Sequence, residues 1–431
     1  MNTSTKTQEN EGKPQCRYFV PRKKRLCRMT VRPGKNYCGE HEPEPQENGD
    51  GEPDNRVPCP LDPKHTCYAS KLEKHLQICN AKQGAVPEYI VHNINAPTET
   101  TSPPRRPLSQ IPKEDLLQLI QKVNHLYEMH IEGNIETLPP RDIHPVVLPE
   151  FSEPERTEAS RRHLRQASRL LRLLEDEGLV QDHTCYVELG AGKGHMSYYA
   201  CRAWCLEGAD SITLLVDRAA LRHKRDNKLK ERSVVVRVRA DLAHLSLARV
   251  PAAAARRAVG LAKHLCGVAT DYALRCLTSP ESLSAARGAA LATCCHHRCD
   301  RAAFIAPQQM QELGISDEEF NILLGIVSWA TCGDGRSRET RNNSPNATEN
   351  NAETTHTVSN STDNDTSVKC EGKYLSLSQE CREAVGRRAK ALIDWARVLY
   401  LRSRGFEARL CYYVPTSVSL ENVCIIAKKD S

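Results

Sequence analysis

The residues with the clearest chemical meaning form a glycine-rich turn that follows a short apolar run. Residues 185–189 lead into Gly190, Gly192 and Gly194. An apolar run that ends in closely spaced glycines predicts a buried strand, a tight turn and then a helix, here over 195–206. Glycine adopts positive φ at little steric cost and lets a ligand lie against the backbone. The N–H groups that begin such a helix favour a polar or anionic ligand, so the turn is a candidate cofactor site; a turn without a ligand is the alternative.

Acidic residues stand at or beyond the ends of three apolar runs. Glu188 lies near the end of the run before the glycines, Asp217 ends the next run, and Asp241 follows the third. Ligands of open parallel sheets bind outside the carboxyl ends of the strands, where an acid can accept hydrogen bonds from ribose hydroxyls. Asp217 or Asp241 alone could instead cap the helix that follows it.

Two further predicted strand ends carry titratable side chains. Lys263 and His264 begin the run KHLCG, and His296 and His297 lie in the run CCHHRC. Lysine and histidine can act as general bases or as local cations, although a single histidine is more often structural. Residues 294–299 also contain potential metal ligands, but adjacent side chains diverge. That divergence favours a catalytic or substrate-positioning loop over a metal site, with simple packing as the remaining alternative.

The N-terminal region contains a first cluster of cysteine and histidine residues. Cys16, Cys27, Cys38 and His41 have the spacing C-x10-C-x10-C-x2-H, and most residues between them are basic or polar. So few apolar side chains cannot form an ordinary core, whereas a tetrahedral Zn²⁺ would supply the missing folding free energy. The pattern predicts a CCCH-type zinc finger over 14–43; a basic disordered arm is the alternative.

A second cluster follows a short acidic segment. Its four residues have the spacing C-x5-H-x9-H-x3-C and are Cys59, His65, His75 and Cys79. On a predicted helix, His75 and Cys79 are four residues apart and would face the same side. Cys67 could replace His65 as a ligand. The spacing predicts a second zinc finger, of CHHC type, over 56–82.

These candidate residues need a scaffold, and the chain alternates short apolar strands with helices. The predicted strands are 185–189, 211–216, 234–238, 258–262, 288–293, 408–414 and 422–427. This alternation predicts an α/β domain over 153–429, with a mostly parallel, doubly wound sheet that ends in a hairpin. The acids, the lysine and the histidines would then meet at the carboxyl edge of that sheet.

The remaining segments predict connections and surface elements. Residues 83–110 are proline-rich and predict a linker, and 111–130 predict an amphipathic helix that docks on the large domain. Residues 131–152 have no regular pattern. An arginine-rich helix over 155–177 has a charged face that is solvated by default, with nucleic-acid contact as the alternative. The polar segment 336–370 predicts a disordered insertion.

Composition restricts the classes of function. A chain of 431 residues has room for two or three domains, and its net charge of +6 permits a nucleic-acid partner without requiring one. No apolar run approaches the ~18 residues of a membrane span, and the polar N-terminus does not resemble a signal peptide. The 19 cysteines therefore favour a reducing compartment, which predicts an intracellular protein of the nucleus or the cytoplasm.

The motifs together resemble one known family. The spacing E-x-G-x-G-x-G resembles the first motif of Rossmann-like class I methyltransferases that use S-adenosylmethionine. The set VELGAGKG, DR, AKHLCGVATD, CCHHRC and SWATCG resembles the tRNA:m(4)X modification enzyme family, eukaryotic 2′-O-methyltransferases that modify nucleotide 4 of the tRNA acceptor stem. That family also carries both zinc fingers. One departure lies after CCHHRC, where the family usually has an aromatic-rich run and this chain has RAAFI.

The resemblance implies methyl transfer from S-adenosylmethionine to a ribose 2′-hydroxyl of tRNA. Gly190, Gly192 and Gly194 would admit the methionine part of the cofactor, whereas Glu188 would orient its ammonium group. Asp217 would bind the cofactor ribose and Asp241 would lie near its adenine.

Lys263 and His264 are the leading candidates for a base or a nearby cation, and His296 and His297 are the second pair. One alternative is a zinc-finger RNA-binding protein with an inactive methyltransferase fold. Another is methylation of a base or of a protein side chain, although the N-P-P-[YF] loop typical of amino-group methylation is absent.

Overall fold

A computed structural model provides the structure of the chain. It describes residues 14–21, 25–31, 33–38, 41, 56–79, 86–97, 104–206, 210–221, 225–229, 232–332 and 377–429. The chain forms two compact units, Met1–Val86 and Pro87–Ser431. The insertion predicted over 336–370 lies outside the described residues. Within the described part of the chain, every helix is too short or too polar to cross a membrane.

The smaller unit contains two short antiparallel hairpins. The first pairs β1 (Phe19–Val20) with β2 (Arg25–Leu26), and the second pairs β3 (Arg56–Cys59) with β4 (Asp62–Tyr68). Helix α1 (Leu72–Ile78) follows β4. Cys79 lies just beyond this helix with an extended backbone, so the helix holds only the first member of the predicted His75–Cys79 pair.

The larger unit is built on a mixed, largely parallel sheet of eight strands. These are β5 (Ile135–Thr137), β6 (Thr184–Leu189), β7 (Ile212–Asp217), β8 (Val235–Arg239), β9 (Arg257–Cys266), β10 (Ala286–Cys294), β11 (Glu407–Tyr412) and β12 (Val423–Lys428). Their spatial order is β5-β11-β12-β10-β9-β6-β7-β8. Strand β12 is antiparallel to both of its neighbours, and every other neighbouring pair in this sheet is parallel. The predicted α/β architecture is confirmed at this level.

Helices cover both faces of the sheet. They are α2 (Lys113–His130), α3 (Leu148–Phe151), α4 (Glu158–Asp176), α5 (His195–Trp204), α6 (Pro251–Ala254), α7 (Val268–Thr278), α8 (Pro307–Glu312), α9 (Asp317–Ile326), α10 (Trp329–Cys332) and α11 (Gln379–Ser403). One hydrophobic cluster joins α2, α7 and α11 to one face, and a second joins α4 and α5 to the other. Alternate side chains of a strand point to opposite faces, which is why the continuous apolar strands require both layers.

The sequence pattern also explains where the two longest flanking helices begin. The Thr157 hydroxyl accepts a hydrogen bond from the Ser160 N–H at the start of α4, and the Ser378 hydroxyl accepts one from the Cys381 N–H at the start of α11. Such side-chain caps replace the missing backbone partners of the first turn. Both helices therefore begin at a side-chain cap that the sequence supplies.

The structure differs from the sequence predictions in three segments. Within the predicted linker 83–110, residues 87–97 are an ordered part of the larger unit, because the buried Asn95 amide donates to the carbonyls of Leu242 and Leu245 at 2.7 and 2.8 Å. The segment without a predicted pattern, 131–152, contributes the edge strand β5 and helix α3. Strand β9 continues four residues beyond its predicted end, so Lys263 and His264 lie within the strand.

Candidate active site

The glycine turn connects β6 to α5 at the carboxyl edge of the sheet. Gly190, Gly192 and Gly194 have φ values of 74°, 52° and 73°, which side chains rarely allow. A Cβ atom on Gly194 would lie 2.6 Å from Leu215 and 2.8 Å from the Arg237 guanidinium, so this glycine is also required by packing. By contrast, a Cβ atom on Gly192 would meet no described atom within 4 Å. The turn therefore presents open space at its centre.

Asp217, at the end of β7, holds the turn in place. Its Oδ2 accepts a hydrogen bond from the Gly192 N–H at 2.7 Å, and its Oδ1 accepts one from the Ala219 N–H at 2.7 Å. On the other side, Arg237 Nη1 donates to the Gly192 carbonyl at 3.1 Å. The Gly192 peptide is thus fixed from both sides by charged groups, and Arg237 is a residue that the sequence analysis did not single out.

Glu188 is buried beneath the same turn, with 5% of its surface exposed. Its Oε2 accepts a hydrogen bond from the Ser197 N–H at 2.7 Å and another from the Ser197 hydroxyl. Burial raises the pKa of Glu188 to about 7, although these bonds and the charges of Arg237 and Lys263 oppose the shift. Glu188 therefore links the end of β6 to the first turn of α5.

Asp241 has a different environment from Asp217. Its Oδ1 accepts a hydrogen bond from the Ala243 N–H at 3.0 Å and caps a short 3-10 helix, Leu242–His244. Its Oδ2 lies 3.8 Å from the Arg218 guanidinium. These contacts match the alternative drawn from the sequence, in which Asp241 caps a helix. The carboxylate is also partly exposed, beyond the end of the strand that neighbours the Asp217 strand.

Lys263 and His264 extend this edge from the neighbouring strand, β9. Lys263 Nζ lies 3.2 Å from His163 Nδ1 on α4, and the His163 and His264 rings meet edge to face at 6.1 Å. Burial lowers the pKa of Lys263 to about 8, and the negative charge of Glu188 opposes this shift. Burial, together with the Lys263 charge, lowers the pKa values of both histidines. The site thus combines a neutral imidazole with a lysine that titrates near neutral pH.

His296 and His297 do not join this group. His296 is 2% exposed, and its Nε2 lies 2.8 Å from Asp394 Oδ2 on α11. Asp394 also accepts hydrogen bonds from Thr293 at 2.7 Å and from Arg397 at 2.8 Å, which makes a buried ionic network. His297 is exposed at the surface, and its carbonyl accepts a hydrogen bond from Arg105.

A thiol cluster lies where the KHLCG and CCHHRC runs meet. The Sγ atoms of Cys266, Cys294 and Cys295 all lie within 4.8 Å of one another. Cys266 Sγ and Cys294 Sγ are 3.0 Å apart, and hydrogen bonds from Cys294 and Cys295 lower the pKa of the Cys266 thiol to about 6. The remaining cysteine of CCHHRC, Cys299, contacts the Arg397 guanidinium at 3.2 Å instead.

A cleft of about 1230 Å³, lined by more basic than acidic side chains, lies beside β10, β11 and β12. Arginines of α4 and α11 line it, namely Arg165, Arg169, Arg172, Arg387 and Arg388. Arg169 Nη2 donates to the Pro139 carbonyl at 2.7 Å, while its Nη1 is buried without a hydrogen-bond partner among the described residues. A buried guanidinium N–H without a partner is costly, so the cleft is suited to an anionic ligand.

The smaller unit brings together the ligand atoms of both predicted zinc clusters. In the first, Cys38 Sγ and Cys16 Sγ lie 3.3 and 3.6 Å from His41 Nδ1, and all four ligand atoms lie within 4.8 Å of one another. Cys27 Sγ is 4.0 Å from Cys38 Sγ. Tetrahedral zinc requires neighbouring sulfur ligands to be roughly 3.8 Å apart, so the arrangement fits this ion.

The second cluster has similar geometry. Cys59 Sγ is 3.7 Å from Cys79 Sγ, and His75 Nε2 lies 3.2 Å from Cys59 Sγ. His65 Nε2 completes the set at 3.4 Å from Cys79 Sγ, while its Nδ1 lies 3.5 Å from the Asp62 carboxylate. A carboxylate on the far nitrogen is typical of metal-binding histidines. The converging ligand is His65 and not the predicted substitute, Cys67.

Comparison with known proteins connects these sites. Residues 165–428 match the family described as Methyltransferase TRM13, which covers more than half of the chain. The chain belongs to this family. The N-terminal clusters lie within matches to the CCCH zinc finger in TRM13 protein, over 14–42, and to the U11-48K-like CHHC zinc finger, over 56–80. The family expected from the sequence motifs is therefore confirmed.

Several curated proteins are similar to this TRM13 family member over nearly its whole length. The tRNA:m(4)X modification enzyme TRM13 homolog of Mus musculus is 33% identical over 96% of this chain and 94% of its own. The Homo sapiens homolog is 33% identical over 99% of this chain and 98% of its own length. The tRNA:m(4)X modification enzyme TRM13 of Kluyveromyces lactis is 29% identical over 99% of this chain and 97% of its own length. No solved structure matches the chain.

The structure adds two residues of the larger unit to the candidate site, and the sequence analysis did not single out either of them. His163 lies in an arginine-rich helix, so it does not stand out among the neighbouring charged residues. Arg237 lies on a strand that carries no motif. His163 is 100 residues from Lys263 in the chain. Only a helix packed across the sheet edge brings the two together, and local sequence pattern carries no signal for such a contact.

Proposed function

We propose that this protein transfers a methyl group from S-adenosylmethionine to the ribose 2′-hydroxyl of nucleotide 4 in the tRNA acceptor stem. The observation that carries the proposal is that the open glycine turn after β6 and the Lys263–His163 pair on β9 belong to neighbouring parallel strands of the sheet. The names of the related TRM13 enzymes, which specify tRNA and position 4, support the substrate.

We also propose that the larger unit is a Rossmann-like class I methyltransferase. Counted from β6 and leaving out the edge strand β5, the sheet order is 3-2-1-4-5-7-6, so the order of the strands reverses between the parallel neighbours β6 and β9. Ligands of doubly wound sheets bind at such a switch point, outside the carboxyl ends of the strands. Both the glycine turn and Lys263 lie there, which supports a cofactor site at this position.

The residues of the turn fit the methyl donor. Gly190, Gly192 and Gly194 give the turn its positive φ angles, and the open space at Gly192 would admit the methionine part of S-adenosylmethionine. Because Glu188 Oε2 is engaged by Ser197, we assign its Oε1 to the ammonium group of the cofactor. When bound, S-adenosylmethionine supplies an electrophilic methyl group, so the protein's main task is to align the attacking oxygen.

We assign Asp217 to the ribose hydroxyls of the cofactor and Asp241 to the neighbourhood of its adenine. Asp217 keeps lone pairs beyond the two backbone bonds that it accepts, since each carboxylate oxygen can accept more than one hydrogen bond. Asp241 is the weaker assignment, because its exposed carboxylate also caps a short helix.

Lys263 is the group that we assign as the general base. A 2′-hydroxyl is a poor acid, and a base whose pKa lies near the working pH removes its proton most effectively. The pKa of Lys263, lowered to about 8 by burial, meets this condition. His163 accepts a hydrogen bond from the lysine and orients it, while His264 lines the same edge. The buried His296 acts in the scaffold, and the exposed His297 has no contact with this group.

The RNA would lie in the basic cleft beside this edge. Arg165 and Arg169 on α4 line it, and the unpartnered Arg169 Nη1 suits a backbone phosphate. Duplex RNA is recognised mainly through its backbone and 2′-hydroxyls, which agrees with a cleft of guanidinium groups. The alternative that the sequence left open for α4, nucleic-acid contact, is therefore part of the proposal.

The two N-terminal clusters are proposed to hold one structural Zn²⁺ each. Their Cys/His donors and sulfur spacings fit zinc, and both segments match zinc-finger families. Thiolate ligands require a reducing environment, which supports a location inside the cell, in the nucleus or the cytoplasm.

A tRNA transcript with a single 2′-deoxyribose at nucleotide 4 tests the reaction. We expect labelled S-adenosylmethionine to methylate the unmodified transcript, and mass mapping to place the methyl group on nucleotide 4. The deoxy transcript should bind equally well and accept no methyl group. Methylation of the deoxy transcript would contradict the 2′-hydroxyl assignment. Calorimetry that showed no cofactor binding would instead favour the alternative, an RNA-binding protein with an inactive methyltransferase fold.

A further inference from the structure

The thiol cluster between the KHLCG and CCHHRC runs is not explained by methyl transfer. Cys266 ends β9 and Cys294 ends β10, and the two are paired directly across these neighbouring parallel strands. Cys295 adds a third sulfur atom from the next position in the chain, and all three Sγ atoms lie within 4.8 Å of one another. Cys266 and Cys295 are only partly buried, so the cluster is accessible from solvent.

The backbone around the cluster has an uncommon conformation that makes the three sulfurs converge. Cys295 has φ 50° and ψ 43°, in the left-handed region that non-glycine residues rarely adopt. This turn brings two adjacent side chains to the same point, which an ordinary extended backbone does not do. The expectation that adjacent ligands must diverge is therefore wrong at this position. Strained backbone of this kind persists where the surrounding structure holds it, and it concentrates at functional sites.

The partner loop is fitted to the same arrangement. Gly267 has φ 55°, and a Cβ atom there would lie 2.5–2.7 Å from atoms of Arg298, so only glycine fits. The Gly267 N–H donates to the Cys294 carbonyl at 3.0 Å. The two loops are thus joined through backbone contacts on either side of the three thiols.

We propose that Cys266, Cys294 and Cys295 form a third metal site, which binds one Zn²⁺ through three thiolates. A fourth, solvent-facing position would be taken by water, an arrangement common in zinc sites that keep an open position. This ligand set differs from that suggested by the CCHHRC run alone, because His296 is bound to Asp394 and Cys299 contacts Arg397. The ion would clamp the strand ends next to Lys263.

A disulfide between Cys266 and Cys294 is the competing explanation, since their sulfurs are only 3.0 Å apart. Zinc requires a sulfur separation of roughly 3.8 Å, so the pair would open by about 0.8 Å on binding. The convergence of a third thiol favours the metal, because a disulfide uses two sulfurs and leaves the strained Cys295 without a role. In both N-terminal clusters, the sulfur ligands also approach one another at 3.7–4.0 Å.

The test is the zinc content of the full-length protein, purified with reduced thiols and measured by elemental mass spectrometry. We expect about three zinc ions per chain, one for each cluster. The variant Cys266→Ser/Cys295→Ser should contain about two, whereas its control, Cys59→Ser/Cys79→Ser, should show a step of equal size through loss of a finger zinc.

Equal zinc content in the wild type and in Cys266→Ser/Cys295→Ser would overturn the proposal. A Cys266–Cys294 disulfide in peptide maps of the protein, prepared without added oxidant, would overturn it too. Should the double variant fail to fold, the single variant Cys295→Ser provides the same comparison at a partly exposed side chain. If that variant still binds S-adenosylmethionine, its larger unit is folded, and any loss of zinc is local to the thiol cluster.

Discussion

Gly192 is the single backbone position on which cofactor binding depends most directly. Its open face is the space that we assign to the methionine part of S-adenosylmethionine. Gly192→Ala would place a methyl group in that space, and we expect the affinity for the cofactor to fall at least about tenfold, or ~1.4 kcal/mol. Titration calorimetry measures this loss directly.

Gly405 provides the matched control for that substitution. It has φ 84°, also with open space around a built Cβ, but it follows α11 and has no part in the glycine turn. Gly405→Ala therefore introduces similar backbone strain, about 1–2 kcal/mol, without touching the proposed ligand. Equal cofactor affinities for the two variants would show that the open face of Gly192 does not hold the ligand.

Lys263 gives the reaction its expected pH dependence. With a pKa near 8, the lysine is mostly protonated at pH 6 and becomes a base as the pH rises. We expect the single-turnover rate to increase with pH up to about 8 and then to level off. Lys263→Met should reduce the rate by roughly 10²- to 10⁴-fold and remove this dependence. Lys263→Arg keeps the charge but cannot deprotonate, so near-normal activity in that variant would exclude the base role.

At the residue scale, local spacing in the sequence singles out some of the candidate site residues. Residues that reach the site through contacts between distant segments have no such pattern. The three glycines and Asp217 follow from strand ends and turn chemistry, whereas Lys263 was singled out at a predicted strand end and lies within a strand that continues to Cys266. His163 and Arg237 reach the same site from α4 and β8, and no local pattern marks them. His296 was a candidate base by residue type alone, yet burial against Asp394 gives it a different environment.

At the element scale, the ionic network of Asp394 joins helix α11 to the carboxyl end of β10. Burial alone would raise the pKa of Asp394, but the charge and hydrogen bond of His296 and the charge of Arg397 lower it well below its usual value. A lowered carboxyl pKa stabilises the folded state above the unfolded-state value, near pH 4. This contribution is complete at neutral pH and is lost as the pH falls below about 4 toward the folded-state pKa.

Asp394→Asn tests this network through stability. Removing this charge leaves His296 without its buried carboxylate and Arg397 with Asp271 as its single acidic partner among the described residues, so we expect the free energy of unfolding at neutral pH to fall by about 3 kcal/mol. Urea denaturation measures the change. Asp210→Asn is the control, because Asp210 pairs with Arg256 at the surface and should contribute less than about 1 kcal/mol. Similar losses in both variants would contradict a special role for the buried network.

Helix α4 is the element that we expect to contact the RNA backbone. Arg165→Ala and Arg169→Ala should each weaken tRNA binding and reduce the slope of log affinity against log salt by about 0.7–0.9. Arg161 lies on the same helix, donates to the Glu153 carbonyl and does not line the cleft, so Arg161→Ala is the matched control. An equal effect of all three substitutions on the slope would point to general electrostatics instead of a bound phosphate in the cleft.

The same scale shows which elements the sequence could specify. The alternation of apolar strands and helices predicted the core strands within a few residues, because buried parallel strands have continuous apolar runs. It missed β5, which is three residues long and gains its order from pairing with β11. It also treated 87–97 as linker, because several prolines fall within 83–110 and the ordering hydrogen bonds of Asn95 are made to carbonyls about 150 residues away.

For the whole molecule, we expect the smaller unit to contribute to tRNA binding, while the larger unit holds the proposed cofactor site and the cleft beside α4. Among its described residues, the smaller unit has almost no hydrophobic core outside its cysteine clusters, so its fold should depend on zinc. The larger unit has its own extensive core and contains the entire proposed cofactor site. Removing one unit should therefore affect binding of one ligand far more than binding of the other.

Deletion of residues 1–82 is the test at this scale. Without the basic first finger, we expect tRNA affinity to fall at least about tenfold, while the affinity for S-adenosylmethionine stays within about twofold of the full chain. Filter binding and calorimetry measure the two affinities separately. In the full-length chain, Cys38→Ser should reproduce part of the tRNA effect by removing one zinc ligand, which separates loss of the finger's fold from loss of the segment. Unchanged tRNA affinity in the deletion variant would place RNA recognition wholly in the cleft beside α4.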